Sequence, residues 1–354
     1  MSVVLTIVYC VIVLGFLVFI HEGGHYLAAR AFGVRVSEFM LGLPAPHIGF
    51  KWHGTKFGVT VLPLGGYARI CGMEPGEASP YLKDALAFVY EYGTVQMEDF
   101  AVACGIDDEE ALAALDELVE WGAIVAPHKD DPYNTYRTPE VREGFHCVEP
   151  EGVPRPVEDA EAFFQSEAKQ QYRSLPFWKR CCILLAGPGM NLLFAILAIV
   201  VIYSVIGVDI ADETGAVQHM TFSFGRSLYA GCYYIVMVVG AIISLFNPAT
   251  AAETVSNSTS IVGIAVMSKS AADQGLLSFI MFAAMISVSL GLMNLLPIPP
   301  LDGGRFLIEI IQKIVGRDVS VRVLNFVSIL GITLFFLFFV FMLNQDVQRF
   351  ILGS

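Results

Sequence analysis

Charge is what this chain is short of. Asp, Glu, Lys and Arg make up 16% of its 354 residues, and hydrophobic residues 55%, whereas soluble globular domains carry about 25% charged and about 45–50% apolar residues. A string of ordinary soluble domains is thereby excluded. Positive charge is the scarcer sign: 21 Lys and Arg stand against 34 Asp and Glu, for a net charge of −13. Such a chain repels phosphates, so binding by bulk positive charge is excluded and no nucleic acid is expected as a partner. Cysteine supplies no framework either. The seven cysteines (Cys10, Cys71, Cys104, Cys147, Cys181, Cys182 and Cys232) are odd in number and form no C-x-x-C pair, which excludes a disulfide-stapled scaffold. Several sit in apolar runs, where a thiol acts as a small hydrophobe.

What charge there is falls in one block. Of the 34 acidic residues, 24 lie between Gly33 and Arg180, with 13 of the 21 basic ones. The rest is a series of apolar runs, and a bilayer core of about 30 Å needs roughly 20 such residues in helix. Ser2–Ile20 has no charged side chain, lacks the basic n-region and cleavage site of a signal peptide, and runs on in a helical pattern through Tyr26–Arg30. Cys181–Gly207, 274–296 and 321–343 are three further spans. Ser227–Ala252 is long enough to cross, but Gly231, Gly240, Asn247 and Pro248 suit an interfacial helix equally well. The expected architecture is an α-helical polytopic membrane protein of about four transmembrane helices, with a fifth apolar, interfacial helix as the open alternative. A membrane-associated β-hairpin region and a small cytoplasmic α+β insert complete it. Lys179, Arg180, Arg305, Lys313, Arg317 and Arg322 flank the spans on one side. The positive-inside rule makes that side, with the 303–320 loop and the acidic insert, cytoplasmic. The expectation is thus a multi-pass protein of the inner or plasma membrane, with both ends facing outward.

Six segments follow: 1–33, the first span; 34–75, a β-strand region; 76–172, the acidic insert; 173–207, the second span; 208–270, a short outer segment and apolar helix; and 271–354, the third and fourth spans. Val34–Met73 is rich in β-branched and aromatic residues punctuated by glycine, as in Phe57-Gly-Val-Thr-Val-Leu-Pro-Leu-Gly-Gly-Tyr67. In the insert, Asp107 is a candidate N-cap with Glu110 three residues on, and Leu112, Leu115, Leu118 and Val119 form an apolar helical face ending at Gly122. With a hairpin over Ile124–Tyr136, the insert resembles a winged-helix module. Its acidity favours a contact with a cytoplasmic regulator over DNA.

The chemistry lies in three motifs. At the end of the first span stands His21-Glu22-Gly23-Gly24-His25, an H-E-x-x-H pattern. Positions i and i+4 of a helix share a face, so both imidazoles can reach one metal ion, with the Glu beside them as general acid/base. An ionisable residue at membrane depth costs about 2.5–3.5 kcal/mol and seldom persists without a role. A catalytic zinc takes three protein ligands. Asp302, in Asn294-Leu-Leu-Pro-Ile-Pro-Pro-Leu-Asp-Gly-Gly-Arg305, is the leading third candidate, because three prolines in four positions leave backbone tolerated at membrane depth only beside protein or a wet cavity. A helix cap is the bland alternative for Asp302, and Glu309 is a weaker rival ligand. The third motif, Ala186-Gly-Pro-Gly-Met-Asn191, reads equally as close helix packing or as a site in which Asn191 offers a hydrogen bond.

Taken together, HEGGH, GPGMN and NLLPIPPLDGG resemble, in order and position, the signatures of the site-2 protease family of intramembrane zinc metalloproteases. The Pro63–Tyr67 stretch looks like the β-region of its regulator-of-sigma-E-protease branch. The resemblance covers about 1–75 and 175–345. It implies Zn2+ held by His21, His25 and Asp302, Glu22 as general acid/base, and Asn191 and Asn294 as substrate-positioning or oxyanion-side residues. It further implies single-span membrane proteins such as anti-sigma factors or remnant signal peptides as substrates, the lipid bilayer as surroundings, and a site near the cytoplasmic side. A substrate unwound for cleavage is expected to pair as an added β-strand with the strand-forming Val34–Met73 segment, at the stretch Val59–Leu62. Three departures stand out. The outer segment Val208–Arg226 is too short for the PDZ domain usual in that branch, the stretch Asn257–Ala265 (NSTSIVGIA) resembles the family's segment ahead of the third span but lacks its usual Gly-Pro, and the acidic insert is not a standard family part. Two rivals are weaker. A receptor or scaffold with a structural metal would want a fourth ligand near the motifs, where the sequence has no further His or Cys. A metal transporter would want ionisable residues in Ile183–Gly207 and Leu324–Leu343, which have none.

Overall fold

The computed structural model describes residues 2–61, 65–73, 78–211, 217–258, 260–317 and 319–348. Leu62, Pro63 and Leu64 of the strand region, the boundary at 75/76 and Thr259 lie outside them. Five of the described helices are long and apolar enough to cross a membrane: α1 (Ser2–Ala31) and, further along, Phe177–Ile206, Phe224–Ser244, Leu276–Asn294 and Arg322–Asp346. The stretch that sequence left open between crossing and lying flat is therefore a 21-residue helix.

After α1 come β1 (Val36–Leu41), β2 (His47–Trp52), β3 (Thr55–Thr60) and β4 (Gly66–Ile70). They form one sheet in the order β2-β3-β1-β4, with β1 parallel to β3 and antiparallel to β4. The β-hairpin region is thus a four-stranded sheet whose one hairpin, β2–β3, turns at His53 and Gly54, both at positive φ. Val59 pairs with Ile48 on one side and Leu41 on the other. The expected docking stretch beginning at Val59 is therefore interior to the sheet, and its unpaired edges are β2 and β4.

The insert contains α2 (Leu82–Tyr92), β5 (Thr94–Val95), α3 (Met97–Cys104), α4 (Asp108–Glu120), β6 (Tyr136–Arg137), β7 (Val141–Glu143), β8 (His146–Glu149) and α5 (Ala160–Ala168). Asp107 caps α4, accepting from the Glu110 N–H at 2.8 Å, and Gly122 leaves the helix at φ +65°. Leu115 and Leu118 are buried as the periodicity predicts, but Leu112 faces out and Ala111 and Ala114 take the inner face. Val125 pairs with Arg137, and β6 pairs back onto β5. Phe100, Leu86, Leu115 and Trp121 centre a core that belongs to the insert alone.

A 3-10 turn, Tyr172–Ser174, leads into α6 (Phe177–Val200), which ends in a π-turn. The hairpin β9 (Val208–Ala211) and β10 (Val217–Met220) follows, then α7 (Phe224–Ser244), α8 (Ala251–Asn257), α9 (Ile261–Asp273), α10 (Leu276–Asn294), α11 (Asp302–Val315) and α12 (Val321–Asp346). Helix α6 is the centre of the membrane part, packing on α1, α7, α10 and α11. Two crossings are glycine-tight. A Cβ at Gly24 would strike the Ala186 backbone, and one at Gly291 would stand 3.0 Å from the Pro188 carbonyl. Small residues let helix backbones approach this closely in lipid, where dispersion contacts replace the hydrophobic effect as the main attraction.

Candidate active site

His21 and His25 lie one helical turn apart on α1, both buried. Asp302 opens α11 and reaches them across the bundle. One carboxylate oxygen, Oδ2, stands 3.0 Å from His21 Nε2 and 3.2 Å from His25 Nε2. Asp302 caps nothing: the N-cap position is Leu301, and the carboxylate turns to the imidazoles. The turn before it packs without clearance, since a Cβ on Gly303 would overlap the Leu295 and Leu296 carbonyls. Among the described residues, His21, His25 and Asp302 are the one group whose donor atoms, all within 4.8 Å of one another, could hold a metal ion.

The surroundings fit a cation at this point. His25 Nδ1 lies 2.8 Å from the Ile183 carbonyl, a bond that puts a proton on Nδ1. In the neutral ring Nε2 then carries a lone pair. That lone pair faces a carboxylate oxygen 3.2 Å away, an arrangement satisfied either by a proton on Nε2 or by a metal ion shared between the two. Donors about 2.0–2.1 Å from a tetrahedral zinc stand roughly 3.3 Å apart, close to both distances here. Three donors also leave a fourth position, as in catalytic rather than structural sites.

Asn191 is fully buried, with its side-chain amide nitrogen 3.4 Å from His21 Nδ1 and its backbone carbonyl accepting from the Ser287 hydroxyl. Asn191 Oδ1 has no partner among the described residues. Since amide O and N are interchangeable by a flip, Oδ1 can accept from His21 Nδ1–H, the tautomer that leaves Nε2 for a metal. The GPGMN segment thus combines both expected roles, because Gly187 also packs directly against the His25 ring. Asn294 is set apart from the cluster: its Nδ2 donates to the Leu290 carbonyl of its own helix at 3.0 Å. Glu309 is elsewhere too, paired with Arg180 at 3.1 Å. His47, His53, His128 and His146 are exposed, and His219 pairs with Asp209 on the β9–β10 hairpin.

Glu22 turns to the sheet. Its Oε2 accepts from the backbone N–H of Ala68 at 2.9 Å, so the free edge of β4 lies against the carboxylate of the HEGGH motif. Gly66 makes this approach feasible, since a Cβ there would meet Val18 at 2.7 Å and come within 3.5 Å of Glu22 Cγ. Sequence reasoning missed Ala68, Gly66 and the Ile183 carbonyl. Gly66 was visible in the Gly65-Gly66 pair, whereas a backbone partner carries no mark in sequence.

The model of Peptidase family M50 matches residues 9–338. The regulator of sigma-W protease RasP of Bacillus subtilis is 25% identical over 433 aligned positions, covering 97% of this chain and 98% of that protein. The zinc metalloproteases RasP of Bacillus licheniformis and Geobacillus kaustophilus are each 24% identical, covering 97% and 98% of this chain and 99% of each relative. The chain belongs to Peptidase family M50 and is a membrane metalloprotease.

Proposed function

We propose that the chain is an intramembrane zinc metalloendopeptidase that cleaves the transmembrane segments of single-span proteins, such as anti-sigma factors or remnant signal peptides. The observation that carries this reading is the convergence of two imidazoles from α1 and one carboxylate from α11 on a single point. His21, His25 and Asp302 hold the zinc ion. When bound, that ion supplies Lewis acidity toward water and the scissile carbonyl near neutral pH. Glu22 accepts the proton of the attacking water and delivers it to the departing amine. The Ala68 N–H fixes one oxygen of Glu22 for that exchange. Asn191 orients His21, and Asn294, at the end of α10, serves the substrate or oxyanion side. The site opens to water on the cytoplasmic side of an inner or plasma membrane.

A substrate helix must be unwound before its peptide bonds can be attacked, and an edge strand is a natural holder of extended chain. Strand β4 is the edge beside Glu22, so we assign the docking role to β4 in place of the stretch beginning at Val59. In the insert, the order helix, strand, helix, helix, hairpin supports the winged-helix likeness. Asp108, Glu109 and Glu110 in the first turn of α4 and Asp116 beyond it are exposed, which suits a basic cytoplasmic regulator.

The test is co-expression with tagged single-span proteins, comparing wild type with Glu22→Gln. A shortened product formed only by the wild type, with zinc retained by both, is the expected result. Equal product from both overturns the assignment of Glu22, and a wild-type protein without zinc overturns the reading.

A further inference from the structure

Helix α11 carries Asp302 and turns most of its apolar side chains outward. Its buried residues are Gly303 and Gly304 in the first turn and Glu309 beyond it, while Leu307, Ile311, Ile314 and Val315 are exposed. Glu309 follows Asp302 by seven residues, close to two full turns, so the two carboxylates share a face about 10 Å apart along the axis. Asp302 points to α1. Glu309 points to the start of α6, where Arg180 Nη1 lies 3.1 Å from Oε2 and the Tyr172 hydroxyl lies 3.3 Å from Oε1. Tyr172 is 2% exposed. Burial first, then the charge of Glu309, push its hydroxyl far above the ordinary tyrosine range, so it stays a donor.

Arg180 belongs to a stripe. Arg180, Ile183, Gly187 and Asn191 are spaced by three, four and four residues and share one face of α6. Ile183 holds His25 through its carbonyl, Gly187 backs the same ring, and Asn191 backs His21. Arg180 is the member of that stripe that reaches α11. A single helix face therefore contacts both imidazoles and, through Arg180, grips Glu309 on the helix that carries Asp302. Tyr172 adds a second tie. Its N–H donates to the Cys71 carbonyl just after β4, and Arg35, just before β1, donates its N–H to the Gln170 carbonyl. The segment leaving the insert is thus sewn to the sheet on one side and to α11 on the other.

We propose that Glu309 is a positioning residue for the Asp302 carboxylate, clamped by Arg180 and Tyr172, and that Tyr172 makes the segment leaving the insert part of the support of the metal site. The proposal rests on His21, His25 and Asp302 holding zinc.

The experiment measures zinc retention of the full-length protein in detergent against a competing chelator, on the monodisperse fraction with its thermal midpoint recorded. The proteins are wild type, Glu309→Gln, Tyr172→Phe, Arg180→Lys and Asp302→Ala. Glu309→Gln should lose zinc at a severalfold lower chelator concentration than wild type, with kcat reduced in step. Tyr172→Phe, which deletes one hydroxyl and keeps the ring, should move the same way in smaller measure, and Arg180→Lys should retain most of the wild-type affinity. A role confined to folding would lower the monodisperse yield and leave the chelator midpoint unchanged, which overturns the proposal. If Glu309→Gln does not fold, the Tyr172→Phe midpoint decides alone. A wild-type protein without zinc, or Asp302→Ala holding zinc as tightly as wild type, overturns the metal-site reading as well.

Discussion

The Cα of Gly187 faces the imidazole of His25 so closely that a Cβ there would overlap the ring. The ring is pinned on its other side by the Ile183 carbonyl at 2.8 Å, so it cannot give way without losing that bond. Gly187→Ala should therefore displace His25 and weaken zinc binding by about 10–100-fold. Gly189→Ala, two residues on, places its methyl where no atom lies within 4 Å and is expected to be silent. Zinc content of the two purified variants checks both. Equal zinc in both would mean that α6 can move away from α1 at this crossing.

Much of this site was legible in the sequence, for reasons that differ by residue. His21 and His25 were readable because helical periodicity alone puts i and i+4 on one face. Asp302 was readable because acids are rare in apolar surroundings and prolines mark a broken helix. Three features were not legible. The rank of strands in a sheet is set by long-range pairing, so nothing in the stretch from Phe57 onward revealed that β3 would be interior and β4 the edge. Leu112 was assigned inward because Leu outranks Ala in hydrophobicity, yet the close packing of α4 on α2 and α3 takes the small Ala111 and Ala114 instead. Glu309 looked like a rival ligand because sequence counts acids without giving the direction in which a helix turns them.

The free edge of β4 beside Glu22 leads to a cross-linking prediction. A photo-reactive amino acid placed at Tyr67 or Arg69 in the Glu22→Gln background should capture a co-expressed substrate. The same residue at Trp52, on the opposite edge strand β2, should not. Cross-linked adducts resolved by electrophoresis read the difference, and capture from Trp52 but not from Tyr67 or Arg69 would move the docking edge to β2.

Arg35 ties the insert to the sheet. Its guanidinium donates to the Trp121 and Gly122 carbonyls and pairs with Glu167 at 2.8 Å, where the Glu167 side chain is 9% exposed. Arg35→Ala removes those bonds and leaves a buried carboxylate short of its partner, a change worth about 1–3 kcal/mol. The cost should fall on the junction, because the core around Phe100 and Leu115 does not include Arg35. Hydrogen exchange should accelerate at 33–36 and 165–172 while α2 and α4 keep their protection. Uniform loss of protection through the insert would show that its core depends on the junction.

The three tryptophans report how the sheet meets the bilayer. Trp52, on β2, is 41% exposed, and its neighbours Ile48 and Phe50 are exposed at 87% and 55%. Apolar side chains this bare on an edge strand mark an interaction surface, and in a chain with five membrane-length helices the bilayer is the nearest apolar partner. Trp178, 56% exposed at the start of α6, sits where aromatic side chains favour the headgroup level. Trp121 is 9% exposed, stacked on Phe164 within the insert. In single-tryptophan variants reconstituted with lipids brominated on their acyl chains, Trp52 and Trp178 fluorescence should be quenched and Trp121 fluorescence should not. The depth follows from moving the bromines along the chain: a Trp52 inserted with β2 is quenched by bromines nearer the bilayer centre than those that quench Trp178. Absence of Trp52 quenching at every bromine position would lift the sheet off the membrane.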